Sequence, residues 1–237
     1  MLRISVTTLE SFRRLIRTEY GSEAELIASI KGQPFEPSWQ MNAGRAWDDA
    51  LWLPADETRE VAGTSFGRWG KYWFNLAAVQ YANKLLGLGV WQIKEVEVMH
   101  VGGRRLPVQV VAHADHVRGL EITDNKARFG TVDLSSYEHS LQWRFYLHIH
   151  QAASFRYAVW HFFDPDGGNY CDLKESMTVR FWNYPAMAED CHRWLIEFLA
   201  WADDKDLFVY LDREGTHEPL PEPTDRPLLG QSYAGPG

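Results

Sequence analysis

The sequence predicts an α/β domain, and three observations lead to that prediction. Helical periodicity occurs towards both ends of the chain, short alternating or valine-rich runs occupy the middle, and neither an internal repeat nor a clear linker separates them. The chain has 237 residues, of which 45% are hydrophobic and 24% charged. This length and composition suffice for one large core, so we expect one domain over residues 1–212.

The N-terminal part of the chain is predicted to be mainly helical. The predicted elements are helices over residues 7–20, 41–53 and 71–86 and a loop over residues 55–70. Thr7 and Glu10 form a capping-box pattern at the start of the first helix. Pro54 is expected to end the second helix because proline lacks the backbone N–H that a helix interior needs.

The C-terminal part of the chain is predicted to alternate between strands and helices. The predicted elements are strands over residues 93–100, 106–117, 120–128, 155–163 and 176–182, and helices over residues 136–151 and 186–202. Ser135 and Glu138 form a second capping-box pattern, and a turn is expected over residues 164–168. Residues 213–237 hold five of the eleven prolines, so we expect an extended or disordered tail.

Composition excludes several classes of protein. Two cysteines, Cys171 and Cys191, cannot form a disulfide framework, a four-cysteine zinc site or an iron–sulfur cluster within one chain. A run of about 18 apolar residues is absent from the sequence, and the first residues do not resemble a secretory signal. We therefore expect a cytoplasmic protein without a membrane partner. The formal net charge of −8 argues against tight, sequence-independent DNA binding by a monomer.

Three polar side chains are predicted to converge on one side of a β-hairpin. With a two-residue turn at 118–119, Asp115 faces Ile122, and side-chain alternation puts Asp124 and Lys126 on the same side. Diagonal neighbours in such a hairpin lie within about 8 Å, which is close enough to share one divalent ion.

Two carboxylates and an amine in this arrangement suit metal-assisted hydrolysis of a phosphodiester. Mg²⁺ takes oxygen ligands, which Asp115 and Asp124 supply, and the backbone carbonyl of Asn125 is a further expected ligand. Mn²⁺ is the expected substitute. Lys126 adds positive charge where negative charge develops, and it could orient or deprotonate the attacking water if the ion lowers its pKa.

Asp115 followed by Asp124-Asn125-Lys126 resembles the core signature of the PD-(D/E)XK nuclease superfamily, with Ala114 in place of the nominal proline. Gln142 and Tyr146 are similar to the Q-x₃-Y element of its RecB-like and lambda-exonuclease-like branch, and their spacing places them on one helical face. The resemblance covers about residues 1–200. It implies a restriction-endonuclease-like domain with a central mixed β-sheet flanked by helices.

The same branch usually has an early helix of the form G-x-x-x-H-x-x-x-E, whose glutamate joins the metal site. Here Gly44 is followed by Asp48 and Trp52 at the corresponding positions. Asp48 is one turn away from the expected acid on the same face, so it is a candidate substitute ligand; a helix-surface aspartate is the alternative. Gln142 and Tyr146 are implied to support the site and the DNA backbone.

The function that this resemblance implies is Mg²⁺-dependent hydrolysis of DNA, as an exonuclease in recombination or repair of phage or mobile-element type. It implies DNA as a partner, the cytoplasm of a bacterium or phage-infected host, and a homo-oligomer or a recombination or replication protein as a further partner. One alternative is a catalytically weak or inactive component that binds DNA or protein, which Trp52 and the net charge favour. Another alternative is a structure-specific or defence endonuclease.

Basic side chains are candidates for contacts with DNA phosphates, and a solvated basic surface is the alternative for each. These candidates are Arg13, Arg14, Arg17, Arg104 and Arg105. His113 is predicted on the same side of the hairpin as the acids, either at the phosphate or as a packed histidine.

Overall fold

The computed structural model describes residues 1–17, 21–101, 107–164 and 169–212. Its strands are β1 (Leu2–Ser5), β2 (Glu57–Val61), β3 (Thr64–Trp69), β4 (Tyr72–Asn75), β5 (Val90–Met99), β6 (Val108–Arg118), β7 (Glu121–Phe129), β8 (Ser154–Phe162), β9 (Tyr170–Cys171) and β10 (Leu173–Trp182). Its helices are α1 (Val6–Ile16), α2 (Glu23–Ile30), α3 (Trp39–Ala50), α4 (Leu76–Leu86), α5 (Leu141–Ile149), α6 (Met187–Asp204) and α7 (Phe208–Leu211).

A mixed sheet of six strands forms the centre of the fold. β6 pairs antiparallel with β5 and β7 and parallel with β1, β7 pairs parallel with β8, and β8 pairs antiparallel with β10. Helices lie on both faces of this sheet. The predicted α/β architecture, with a central mixed sheet flanked by helices, is therefore confirmed.

Two strands share one edge of β6. β5 pairs along the opposite edge, at residues 108–117, and β1 and β7 lie one after the other along the shared edge. β1 pairs with residues 108–111, and β7 pairs with residues 116–118. Within the described residues, positions 112–115 have no strand partner on this edge. We call this gap the fork of the sheet.

Alternating side chains of the central strands build two cores on opposite faces of the sheet. Tyr157 and Val159 of β8 pack with apolar side chains from α1, α2, α5 and α6. Ala158 and Trp160 face the other way and pack with α3 and α4. The two layers of helices are thus fixed by the period-two pattern of one fully buried strand.

A second sheet, of four strands, is formed mainly by residues that were predicted to be a loop and the start of a helix. β2, β3 and β4 form an antiparallel meander, and β9 adds to β4 in parallel. The loop prediction for residues 55–70 is therefore wrong, and the helix predicted over residues 71–86 begins only at Leu76. Asn75 caps that helix by accepting a hydrogen bond from the N–H of Ala77.

Both predicted capping boxes are wrong. Ser5, and not Thr7, caps α1 through a hydrogen bond from the N–H of Thr8 to its hydroxyl oxygen at 3.0 Å. Residues 135–137 form a separate 3₁₀ turn, and α5 begins at Leu141 with Ser140 as its cap.

Several predictions fall outside the described residues. They concern residues 18–20 at the end of the first helix, Arg104 and Arg105, most of the turn at 164–168, and the tail over residues 213–237. Among the described helices, none is both long and apolar enough to cross a membrane.

Candidate functional site

The hairpin between β6 and β7 turns at Gly119 and Leu120. Val117 pairs with Ile122, so the predicted register, in which Val117 faced Leu120, is wrong by two residues. Gly119 has φ of +58°, a conformation that glycine adopts without a steric penalty. Because side chains alternate with period two, a shift of two residues leaves the predicted sides of the strands unchanged.

Asp115 is the last position of the fork, directly before His116, at which the pairing of β6 with β7 begins. Its carboxylate accepts a hydrogen bond from the backbone N–H of Asn125 at 2.8 Å. A side chain thus satisfies a backbone donor at the point where the ladder between the strands ends. This bond joins the two strands that carry the predicted acids.

Asp124 is held from two directions. Its side chain is 2% exposed, and its Oδ2 forms an ion pair with the Nζ of Lys126. Its Oδ1 accepts a hydrogen bond from the Nε2 of Gln142 at 2.8 Å. The structure therefore brings together three of the predicted site residues in direct contact.

Tyr146 completes this side of the cluster. It lies one helical turn after Gln142, and its hydroxyl donates a hydrogen bond to the backbone carbonyl of His113 at 2.8 Å. Burial, with the negative charge of Asp124, raises the pKa of Tyr146, so the hydroxyl keeps its proton. The contribution of His113 to the cluster is this carbonyl, since its side chain is exposed.

Asp48 reaches the cluster from α3, on the other face of the sheet. Burial raises the pKa of Asp48 well above its ordinary value, and the carboxylates of Asp115 and Asp124 raise it further. Its buried Oδ1 has no hydrogen-bond partner among the described residues. Trp52, at the position of the family's glutamate, lies beyond the end of α3 and is 44% exposed.

Burial and neighbouring charges shift the pKa values of Asp115 and Lys126 in this cluster. Burial raises the pKa of Asp115 to about 7, with a further contribution from Asp124, while Lys126 and the N–H of Asn125 act in the opposite direction. Burial alone would lower the pKa of Lys126, but the charges of Asp124 and Asp115 outweigh it and raise the pKa. Without a bound ion, Lys126 is thus an ammonium group at neutral pH.

The side chain of Asn125 points away from this cluster. Its Oδ1 accepts a hydrogen bond from the Nε1 of Trp160 at 3.2 Å, within the core that packs on α3 and α4. The side-chain oxygen of Asn125 is therefore engaged in the core. A role for this residue at a metal ion would fall to its backbone carbonyl, as the sequence predicts.

The donor set fits a hard divalent cation in its chemistry. Burial and neighbouring carboxylates raise the pKa values of Asp48 and Asp115, and Oδ1 of Asp48 lacks a hydrogen-bond partner among the described residues. A divalent ion would relieve both conditions. Across the described residues, however, no three His, Cys, Asp or Glu side chains already stand in a coordinating arrangement. The ammonium group of Lys126 forms an ion pair with Oδ2 of Asp124 instead.

Sequence reasoning missed the buried carboxylate that positions α5. Glu10 of α1 is 6% exposed and accepts hydrogen bonds from the N–H of Leu141 at 2.7 Å and the hydroxyl of Ser140 at 3.1 Å. It also pairs with Arg13 and Arg14. Glu10 thereby fixes the N-terminus of the helix that carries Gln142 and Tyr146. The sequence marked Glu10 only as the acid of a local capping box with Thr7.

A cavity of about 480 Å³ opens beside the cluster. Lys126 and Gln142 line it from the cluster, and Arg14 and Arg128 add positive charge to its wall. Its lining is mostly polar or charged, which suits an anionic and hydrated ligand more than an apolar one.

Comparison with known protein families finds no family that matches this chain, and comparison with curated proteins finds no matching sequence. Among solved structures, the chain is similar to a protein designated SSO0001, with a TM-score of 0.49, 15% identity, and coverage of 85% of this chain and 77% of that chain. It is also similar to the alkaline exonuclease LHK-Exo from Laribacter hongkongensis, with a TM-score of 0.45, 10% identity, and coverage of 87% and 91%. The complex of LHK-Exo with dAMP gives a TM-score of 0.46, 11% identity, and coverage of 87% and 90%.

Proposed function

We propose that this protein is a metal-dependent nuclease that hydrolyses phosphodiester bonds of DNA at the cluster of Asp48, Asp115, Asp124 and Lys126. One observation carries the proposal: Asp115 of β6 and Asp48 of α3 are buried near the ion pair of Asp124 and Lys126, and burial, with the charge of Asp124, raises the pKa of Asp115 to about 7. Shifted pKa values of this kind, beside a polar cavity, are typical of catalytic sites.

Mg²⁺, or Mn²⁺ in its place, would be held by Asp48, Asp115, Asp124 and the backbone carbonyl of Asn125. When bound, such an ion lowers the pKa of a coordinated water and offsets the charge of the phosphate. Gln142 keeps Asp124 oriented through its amide, and Tyr146 fixes the backbone at His113. As an ammonium group, Lys126 would stabilise the negative charge that develops on the phosphate oxygens; if the bound ion lowered its pKa, it would instead deprotonate the attacking water.

The finer proposal is an exonuclease that acts on DNA ends in recombination or repair, of the kind found in phages and mobile elements. It is supported by the resemblance of Asp115, Asp124-Asn125-Lys126 and the Gln142–Tyr146 pair to that nuclease branch. Further copies of the chain, or a recombination or replication protein, are the partners proposed with it. Several copies together would also pool their basic surfaces, which offsets the net charge of −8.

The first experiment measures release of nucleotides from linear duplex DNA with Mg²⁺ by the wild type and by Lys126→Ala. We expect the substitution to reduce the rate by at least about 100-fold, since an electrostatic group at the phosphate is removed. Lys84→Ala, which removes an exposed lysine of α4, is the matched control and should keep full activity. Equal rates for Lys126→Ala and the wild type would refute the assignment. Circular and branched DNA, run in parallel, separates exonuclease from structure-specific endonuclease action.

A second candidate function is a DNA- or protein-binding component with little or no catalysis. The observation that favours it is the ion pair between Lys126 and Asp124, which places an ammonium group where a metal would bind. Trp52 in place of an acid points the same way. Titration with Mn²⁺ discriminates between the two functions: a nuclease should bind the ion and lose that binding in Asp124→Asn, whereas a binding component should show neither.

A further inference from the structure

An aromatic ring from the neighbouring strand contacts Lys126 in addition to Asp124. The Nζ of Lys126 lies 5.9 Å from the centre of the Tyr157 ring, within the range of about 6 Å for a cation–π contact. Tyr157 belongs to β8 and is the partner of Asp124 in the register of β7 and β8. Its ring therefore lies on the face of the sheet that carries Asp124 and Lys126.

The orientation of the Tyr157 ring is fixed by three other rings. Its centre lies 4.5 Å from that of Tyr137, 4.7 Å from that of Phe155 and 6.1 Å from that of Phe181. The contacts with Phe155 and Phe181 are edge-to-face, which is a preferred arrangement of aromatic pairs. Tyr157 is 0% exposed, so a substrate does not touch it. An effect of Tyr157 on the chemistry of the site must therefore act through Lys126 or another neighbour.

The hydroxyl of Tyr157 anchors the ring to the start of α5. It donates a hydrogen bond to Oγ of Ser140 at 3.0 Å, and the hydroxyl of Ser140 donates to the buried carboxylate of Glu10 at 3.1 Å. Burial, with the charge of Asp124, raises the pKa of Tyr157 well above its ordinary value, so the hydroxyl keeps the proton that it donates. The same oxygen of Glu10 accepts from the N–H of Leu141. One carboxylate thus fixes both the N-terminus of α5 and the Tyr157 ring.

The two contacts of Lys126 differ in their relation to the acid cluster. Asp124 is a proposed metal ligand, whereas the ring of Tyr157 has no oxygen to offer an ion at this face. A ring face attracts an ammonium group without neutralising it. The ring therefore provides a contact that Lys126 keeps when the oxygens of Asp124 are engaged elsewhere.

We propose that Tyr157 is a positioning residue for Lys126, and that its ring face holds Nζ in the place from which Lys126 acts on the phosphate. This inference rests on the proposed function for the role of Lys126, but not for the contact itself. The alternative is a tyrosine that serves only the core. In that case the electron density of the ring and the charge of Lys126 contribute independently to stability.

The test compares Tyr157→Phe with a protein that carries trifluorophenylalanine at the same position. The fluorinated ring has nearly the same shape, but its face is much less negative. Urea unfolding in EDTA gives the unfolding equilibrium constant of each protein, and the comparison is repeated in a Lys126→Met background. We expect fluorination to raise this constant at least about threefold more when Lys126 is present than when methionine replaces it.

The matched control is trifluorophenylalanine at Phe162, a buried ring of β8 that packs in the core on the other face of the sheet. Fluorination there should have the same effect in both backgrounds. Equal effects in the two backgrounds at Tyr157 would overturn the contact. A difference of similar size at Phe162 would also overturn it, because the coupling would then not depend on the position of the ring.

A kinetic measurement tests the positioning role without the Lys126→Met variant. With Mg²⁺ and linear duplex DNA, trifluorophenylalanine should lower kcat at least about threefold relative to Tyr157→Phe and leave KM unchanged, because the ring does not touch the substrate. An unchanged kcat in a protein that cleaves DNA would overturn the positioning role. If the ring and Lys126 are coupled in the unfolding experiment but the wild type cleaves no DNA, the proposed function fails while the contact stands.

Discussion

Replacing Asp115 by asparagine tests the charge of the acid cluster without requiring any activity. The amide oxygen can still accept the hydrogen bond from the N–H of Asn125, which the carboxylate accepts at 2.8 Å. The substitution removes one negative charge from beside Asp48 and Asp124. We expect Asp115→Asn to be more stable than the wild type at pH 8 in the absence of metal.

The size of the effect follows from the pKa of Asp115. A rise from 3.8 to about 7 means that the folded protein binds this proton more tightly than the unfolded chain. The wild type therefore loses stability as the pH rises from about 4 to about 7, and the loss is complete above pH 7. A change of this size corresponds to about 4 kcal/mol, and we expect about 2 to 4 kcal/mol because the side chain is not fully enclosed.

The assay is urea unfolding at pH 4.5 and pH 8 in EDTA, followed by tryptophan fluorescence. Asp115→Asn should exceed the wild type in free energy of unfolding at pH 8, and the difference should shrink to about a quarter of that value at pH 4.5, which is still above the ordinary pKa of 3.8. Asp172→Asn, at an exposed aspartate outside the cluster, should show no such dependence on pH. A variant that is equally or less stable than the wild type at pH 8 would refute the electrostatic description of the cluster.

Two further predictions concern α5. Gln142→Leu removes the amide that donates to Asp124 Oδ1 and leaves this buried oxygen without its donor, so nuclease activity should fall about 10- to 100-fold and the free energy of unfolding by about 1 to 3 kcal/mol; unaltered activity would contradict a positioning role. Tyr146→Phe leaves the carbonyl of His113 without its hydroxyl donor, so the free energy of unfolding should fall by about 1 to 3 kcal/mol. A Tyr146→Phe protein as stable as the wild type would mean that water replaces this bond at no cost.

The placement of Asp115, Asp124 and Lys126 on one side of the hairpin could be predicted from the sequence because it depends on alternation and not on the turn. The predicted turn was misplaced, yet a shift of two residues preserves the side of each strand on which a residue lies. The placement of Gln142 on the same face of α5 as Tyr146 could be predicted for a similar reason, since residues four apart share a helical face. The burial of Asp48 near the acids of the cluster, by contrast, depends on how α3 packs on β7, which spacing alone leaves open.

In the second sheet, tertiary packing determines the structure where local sequence patterns do not. β2 is exposed at every position, so it lacks the alternating pattern that marks a half-buried strand. β4 has the sequence Tyr-Trp-Phe-Asn, whose consecutive aromatic residues suit a buried strand and a buried helix alike. Its pairing with β3 through a tight turn, and with β9 almost a hundred residues later, settles the difference.

The role of Glu10 could not be predicted from the sequence, because it too depends on residues that are distant in the chain. Its partners at the start of α5 are 130 and 131 residues away in the chain. On the sequence it looked like the acid of a local capping box, because that pattern needs only four consecutive residues, here 7–10. A buried carboxylate that caps a distant helix has no spacing to recognise.

The hydrogen bond across the fork makes one peptide group a natural reporter. Because the amide of Asn125 points at the carboxylate of Asp115, its nitrogen and proton resonances respond to any change of charge at that oxygen. Titration, ion capture and arrival of a phosphate would each leave a distinct signature on a single crosspeak in a ¹⁵N-labelled sample. The chemistry of the cluster can thus be followed by spectroscopy from within the backbone, with no label on the ligand.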